Sequence, residues 1–430
     1  MPSLLFYKRP PKVPKPEGPL TECKGPLGNR DCSKTSIPPE LSFENVICNK
    51  CMPPCSLQDF LDYLLYVSHD AENLQFYLWM IDYFHRFQRA AKAERALSPR
   101  WRGHAPPIRE QDGHRMIGAH DADMQSEELS DCSTWGAEMS EFTDEYSRTL
   151  DDIKFSVSPV KQQPKVDQLV WYPAEAQPFR QEISRIINHY ILAGSPRQLN
   201  LSHNDRATVL RALEYTTHPS ALRPVKRMLD STLRAQSHPN FVRWSICNNN
   251  RQWTWALRAF AVMNIMIGFA IAIVLILSRA SRYWRIFAAL EWWFGITNII
   301  AASQGLCVLL HRMHTRQYHA WETKDYGMSD EEAMLKSESA YNVSYESVRS
   351  QWPVKMEVFG AANNYSGEAW VSAYAKKPWY KKLFEKRIKV HETGLSSIQN
   401  RMIRQAEAWA LIITIPLTVA FVAIPNANLF

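Results

Sequence analysis

Apolar positions along this chain follow two patterns: helical stripes in the first half and near-continuous runs in the second. Leu57, Phe60, Leu61, Leu64 and Leu65 recur at i, i+3, i+4, i+7 and i+8, which predicts one face of a helix. Asp70 is placed to cap the next helix. Glu72 then falls in its first turn, where the helix dipole favours an anion. Leu74, Leu78, Ile81 and Phe84 continue as the buried face, so Glu72 and Asn73 are expected to be exposed beside the loop Val67–Ala71. The helical pattern resumes much later, with Phe179, Ile183, Ile186, Ile187, Tyr190 and Ile191 on one stripe. Gly194, followed by Ser195-Pro196, is a helix stop. Ser202, with Asp205 three residues on, opens a helix that buries Val209, Leu210 and Leu213. Pro219 opens another, with Leu222, Val225, Leu229 and Leu233 inside, and Phe241 closes the pattern.

Three later runs have a different character. Ala259–Leu277 is apolar but for Asn264, Ile286–Leu310 is longer, and Ala408–Ile424 is the third. Each approaches the length needed to cross about 30 Å of hydrocarbon. Trp253, Trp255, Tyr283 and Trp284 stand at run ends, as interfacial aromatics do. Membrane helices are therefore expected over 255–277, 286–310 and 408–424, the first two forming a hairpin about Arg279–Arg285. Asn264 and Gln304 are expected to meet across that hairpin as hydrogen-bond partners. Glu291 is a carboxylate inside a span, but it lies near the helix start, where it can snorkel past Arg282 and Arg285.

Between the two helical stretches, residues 90–177 carry Asp121, Asp123, Glu127, Glu128, Asp131, Glu141, Asp144 and Glu145 with few aliphatics. This composition predicts a disordered insertion within one helical domain, 41–245. Residues 1–40 form a Pro- and Lys-rich arm suited to extended polyproline conformations. The chain has 430 residues and a formal charge of +7. The membrane runs argue against nucleic acid as the partner of this basic chain. Cys48, Cys51 and Cys55 offer three thiols, whereas a closed zinc site needs four ligands. Cys23, Cys32 or His69 would have to complete it, and no second pair has finger-like spacing. The reading taken is reduced structural thiols, no metal and a cytosolic compartment.

The loop 311–405 contains Lys376-Lys377-Pro378-Trp379-Tyr380-Lys381-Lys382-Leu383-Phe384-Glu385-Lys386-Arg387-Ile388. Helical spacing puts Trp379, Tyr380, Leu383, Phe384 and Ile388 on one side, with lysines such as Lys381 and Lys382 crowding the other. That pattern predicts a helix lying on an anionic membrane surface. Arg243, Arg251, Arg312, Arg316, Lys386, Arg387, Lys389, Arg401 and Arg404 share one side of the membrane. Arg279, Arg282 and Arg285 are on the other. The positive-inside bias then predicts a cytosolic N-terminus and loop. Two sequons in the loop, at Asn342 and Asn364, point the other way if glycosylated.

The helix–loop–helix that ends in Glu72-Asn73-Leu74-Gln75-Phe76-Tyr77-Leu78-Trp79 resembles the regulator-of-G-protein-signalling (RGS) box. The stretch from Phe179 through Asn200-Leu201 to Phe241 resembles its second half. The resemblance implies an all-α fold: an RGS-like helical bundle with a long insertion, followed by three transmembrane helices. It also implies a G protein alpha subunit as partner, with Glu72, Asn73 and Asn200 touching its switch loops. Gln236 and Asn240 fall where active members of the family carry an acid and a base just before the terminal Phe. The charged clamp is therefore missing. An interrupted box with three C-terminal spans is similar to the fungal RGS-like membrane proteins of bud-site selection and polarity. That likeness implies a plasma-membrane location and a large single-pass landmark glycoprotein as a further partner. No residue pattern supplies a catalytic site or a cofactor site. Two functions stay open: a scaffold or regulator of the alpha subunit in polarity, and an active GTPase-activating protein.

Overall fold

The computed structural model of the chain describes residues 37–101, 174–324 and 358–427. These residues are mostly helical. In chain order the helices are α1 (Phe43–Ile47), α2 (Leu57–Tyr63), α3 (Ala71–Arg89), α4 (Lys92–Ala96), α5 (Arg180–Ile186), α6 (His203–Tyr215) and α7 (Arg223–Thr232). They continue with α8 (His238–Ser245), α9 (Arg251–Leu277), α10 (Ile286–Ser303), α11 (Val308–Arg312), α12 (Ala369–Lys376), α13 (Trp379–Leu383) and α14 (Thr393–Ala423). Strands β1 (Thr315–Gln317) and β2 (Arg387–Lys389) pair antiparallel, with Arg316 opposite Ile388, and form the only sheet among the described residues. Contacts divide these residues into two compact units. The first holds residues 37–71, 232–324 and 363–427; the second holds 72–101, 174–231 and 358–362.

In the first unit, Ser56 and Asp59 form a reciprocal capping box that starts α2. Ser56 Oγ accepts from the Asp59 amide at 3.2 Å, and Asp59 Oδ2 accepts from the Ser56 amide at 3.0 Å. The helix widens into a π-type turn over Leu64–Ser68 and stops at His69, whose φ is 60°. Phe60 and Tyr63 pack on Phe241, with ring centroids 5.0 and 5.6 Å apart. Phe241 is fully buried, which by area alone is worth about 2–3 kcal/mol. Asp70 directly precedes α3. Its Oδ2 accepts from Ser237 Oγ at 3.2 Å, and its Oδ1 is buried without a partner. Arg316 is buried and forms a forked pair with Glu322, Nη1 to Oε2 at 2.8 Å and Nη2 to Oε1 at 2.5 Å.

Three helices of this unit are long and apolar enough to cross a membrane: Arg251–Leu277, Arg282–Ser303 and Thr393–Ala423. The second ends at Ser303, and Gly305 follows at φ +79°, so the apolar run to Leu310 is not one helix. The third starts fifteen residues before the expected 408, as part of a 31-residue helix. Leu395, Ile398, Met402 and Ile403 in these early turns are buried. The expected bond between Asn264 and Gln304 is absent. Asn264 donates instead to the Phe260 carbonyl of its own helix at 2.7 Å, and Gln304 Oε1 is buried without a partner. An asparagine side chain reaches the carbonyl four residues back at no cost in helix contact, and that local bond wins here. The close approach of α9 and α10 rests on small residues. A Cβ on Gly268 would lie 2.6 Å from Trp292 Cδ1, and one on Gly295 would lie 2.8 Å from the Ala261 carbonyl oxygen.

The second unit contains α3 after its first residue, with α4 to α7. Phe76, Trp79 and Tyr83 form a ring ladder along α3, at 5.2 and 5.1 Å. Glu182 on α5 accepts from Trp79 Nε1 at 2.6 Å and from both Arg86 terminal nitrogens at 2.6 and 2.7 Å. Residues 92–101 were expected within the insertion but are ordered on this unit. Pro99 O accepts from Thr216 Oγ1 at 2.7 Å, and the Trp101 amide donates to Ser220 Oγ at 2.8 Å. The acidic stretch 110–152 and the N-terminal arm lie outside the described residues.

Candidate partner-binding face

Helix α3 begins Ala71-Glu72-Asn73, and this start was the sharpest sequence signal. Glu72 is half-buried. Asn73 is only 6% exposed, and its Oδ1 is buried with no hydrogen-bond partner. The expected exposure of both is corrected. The apolar period counted Leu74 and Leu78 as the buried face, but α3 also buries Gln75, Phe76, Tyr77 and Trp79. A helix enclosed nearly all round has no free face for Asn73.

The loop after α5 supplies the other half. α5 continues through a π-type turn over Ile187–Ile191 and ends at the extended Leu192; Gly194, expected as the stop, takes φ +79° in the turn that follows, where the Ser195 amide donates to the Leu192 carbonyl at 3.3 Å. Two backbone bonds fold the loop back on the turn: the Arg197 amide to the His189 carbonyl at 3.1 Å, and the Leu199 amide to the Tyr190 carbonyl at 2.9 Å. Asn200 is thereby fixed one residue beyond a buried leucine, with its own side chain exposed. Ser202 Oγ then accepts from the Asp205 amide at 3.1 Å, the predicted cap of α6.

Tyr190 joins the two halves. Its ring meets Phe76 of α3 at 5.4 Å. Burial raises the phenol pKa and the Glu72 carboxylate adds to this, while a bond from Arg197 works against both. Tyr190, Arg197 and the Asn200 corner thus belong to one folded loop, and the ring of Tyr190 reaches α3 at Phe76. Sequence reasoning placed Tyr190 in an apolar stripe and did not single out Arg197. A lone arginine after Pro196 has no periodic signal.

The remaining expected contacts sit in the first unit. Gln236 is exposed on a π-type turn, and Asn240 is half-buried, with Arg243 Nη1 3.5 Å from its Oδ1. Both are neutral, and neither is an ion-pair partner. Among the described residues no group of three or more His, Cys, Asp or Glu side chains is placed to hold a metal ion, and Cys23 and Cys32 lie outside those residues. Cys48 is disulfide-bonded, which corrects its reading as a reduced thiol. Burial pushes the Cys51 thiol up to about 12 and raises Cys55 as well.

The basic-aromatic segment is shorter as a helix than expected. α13 ends at Leu383, and Arg387–Lys389 turns into β2 because its backbone pairs with β1. α13 is clamped to the start of α9. Asn250 Nδ2 donates to the Lys382 carbonyl at 2.5 Å, and the Phe384 and Trp253 rings are 6.1 Å apart. Trp379 and Phe384 are 71% and 72% exposed, and Tyr380 and Lys381 are also exposed. Leu383 and Lys382 are half-buried, and Lys382 Nζ lies 4.7 Å from the Tyr374 ring centroid. No family model, no curated protein and no solved structure matches this chain.

Proposed function

We propose that this chain is a membrane-anchored, RGS-like protein that serves as a scaffold or regulator of a heterotrimeric G protein alpha subunit in cell polarity and bud-site selection. The observation that supports this reading is the packing of Tyr190 on Phe76 of α3, whose start carries Glu72, with the Asn200 corner tied to the Tyr190 backbone. A preformed corner of this kind suits a partner whose switch loops are to be held near one geometry, a role that needs no catalytic group. Three membrane-length helices in the same chain support the anchor. The reading places the protein in the plasma membrane with a cytosolic N-terminus, and adds a large single-pass landmark glycoprotein as partner.

α13 fits the anchor. Exposed Trp379, Tyr380 and Phe384 beside the mouth of α9 suit the headgroup layer, and Lys381 suits anionic lipids there. Neutral Gln236 and Asn240 favour scaffolding over acceleration, since a charged clamp would otherwise help hold the switch region. The test uses the full chain in lipid nanodiscs. Binding to the transition-state-like, GDP–aluminium fluoride form of an alpha subunit is measured, together with single-turnover GTP hydrolysis. Binding without acceleration, lost in Glu72→Ala, is the expected result. Acceleration would favour the GTPase-activating reading, and absence of binding to every alpha subunit tried would remove both.

A further inference from the structure

The face built by Arg185, His189, Tyr190 and Arg197, beside the Asn200 corner, is not bare. Residues 358–362, drawn from the loop between the second and third long helices, lie on it within the second unit. Tyr190 donates its hydroxyl to the Val358 carbonyl at 2.6 Å. Arg197 donates twice, Nε to the Ala361 carbonyl at 2.9 Å and Nη1 to the Val358 carbonyl at 3.1 Å. The Phe359 ring lies 4.3 Å from the Arg185 guanidinium carbon and 5.9 Å from the His189 ring. His189 also bonds the Gly360 backbone.

The contacts follow one chemistry. The face reads two backbone carbonyls, three residues apart, with side-chain donors, and it takes one aromatic ring against a cation. The same donors can take the carbonyls of a partner loop, while the Phe359 ring and a backbone less free than Gly-Ser favour this segment. Arg185 is exposed and His189 half-exposed, so the site stays open to exchange with solvent and partners. We propose that Val358–Ala362 is an intrachain strap that occupies this face and competes with the partner loop that docks there. The proposal rests on the reading of the face as the alpha-subunit contact. Occupation lowers apparent affinity by the fraction of molecules left open; a strap seated in about nine of ten molecules weakens binding about tenfold.

The experiment uses the full chain in nanodiscs and has two arms. In the first, residues 358–362 are replaced by Gly-Ser of equal length, with Phe359→Ala as a milder variant. Affinity for the GDP–aluminium fluoride alpha subunit is compared with that of the natural chain, and melting curves confirm that each variant is folded. In the second, a fluorescent peptide of residues 356–363 is titrated onto the Gly-Ser chain and onto the same chain carrying Arg197→Ala. The expected result is about tenfold tighter alpha-subunit binding by the Gly-Ser chain, a smaller gain for Phe359→Ala, and peptide binding that Arg197→Ala abolishes. Equal alpha-subunit affinity in natural and replaced chains overturns the strap, as does absence of peptide binding. If no form binds the alpha subunit but the peptide binds through Arg197, the alpha-subunit reading fails while occupation of the face by the strap stands.

Discussion

His238 lies edge-on to the rings of Phe43 and Phe60, and its Nε2 is 2.9 Å from the Leu41 carbonyl oxygen. Burial lowers its pKa from 6.5 to about 4, although the bond to Leu41 works the other way. His218 and His319 are lowered to about 3, again chiefly by burial. A group whose folded pKa is depressed stabilises fully above its unfolded value and loses that contribution as pH falls through the folded one. The three histidines therefore erode stability from pH 6.5 downward. Glu322 follows the same sign in a lower window. Burial pushes it up, but Arg316 overrides that and holds it at about 2, so its contribution goes between 4.5 and about 2. The melting temperature is expected to fall from pH 6.5 to 4 and further below 4.5. His238→Gln, which keeps a donor for Leu41 but does not titrate, is expected to flatten the upper limb of a pH-dependent melting series. An unchanged slope would place the acid sensitivity elsewhere. Arg316→Ala strands a buried carboxylate and is expected to cost about 3–5 kcal/mol, read from chemical denaturation. Local signals such as Gly194 and Ser202 were legible because each acts on its own backbone. The Arg316–Glu322 pair and the burial of Asn73 were not, because they depend on what the fold brings over them.

At the scale of elements, the long helices meet through residues that carry no hydropathy signal of their own. Gly268 faces the Trp292 indole, and Gly295 faces the Ala261 carbonyl and Ile265. Trp292 is fully buried and also meets Phe421 of α14 at 5.1 Å, so one indole joins all three helices. Gly295→Ala is expected to be the more damaging change, because its methyl would meet backbone, which does not move aside. Gly268→Ala meets a side chain that can shift, though only by disturbing Phe421. Overpacking of this kind costs about 1–3 kcal/mol. Thermal unfolding in detergent should rank natural chain, Gly268→Ala and Gly295→Ala in falling order, and the reverse order of the two variants would contradict the backbone argument. The apolar runs were legible as helices because continuous hydropathy needs no partner to be recognised. Their ends were less so. Leu395, Ile398 and Met402 belong to α14 but are too interspersed with polar residues to read as a span, and they are buried by packing within their own unit. The helix expected to run from Trp379 to Ile388 failed for a related reason: pairing with β1 outweighs a helical spacing only three turns long.

For the molecule as a whole, the open question is which side of the membrane the N-terminal helices and the long loop occupy, and basic residues bear on it. Arg285 is fully buried and donates to the Phe421 and Ile424 carbonyls at 2.8 and 2.6 Å, so it caps the C-terminal end of α14. Its charge belongs to the fold, which leaves Arg279 and Arg282 as exposed basic residues at that end. The opposite end carries exposed Arg251, Arg312, Lys381, Lys386, Lys389 and Arg404. The asymmetry of the sequence count, nine to three, is kept among the exposed residues, six to two, and so is the bias toward a cytosolic loop. Asn364 tests it directly. Its sequon is exposed and presented on a turn, with Asn364 Oδ1 accepting from the Ser366 amide at 3.0 Å. Accessibility does not protect it from glycosylation, so compartment alone decides. In a secretory-competent host, glycosidase treatment is expected to leave the mobility of the natural chain unchanged, while a sequon engineered into the Arg279–Ser281 turn should become modified. A mobility shift that Asn364→Gln abolishes would place the loop, the candidate face and the strap outside the cytosol. No cytosolic alpha subunit could then reach them, and the disulfide at Cys48 would fit that side of the membrane.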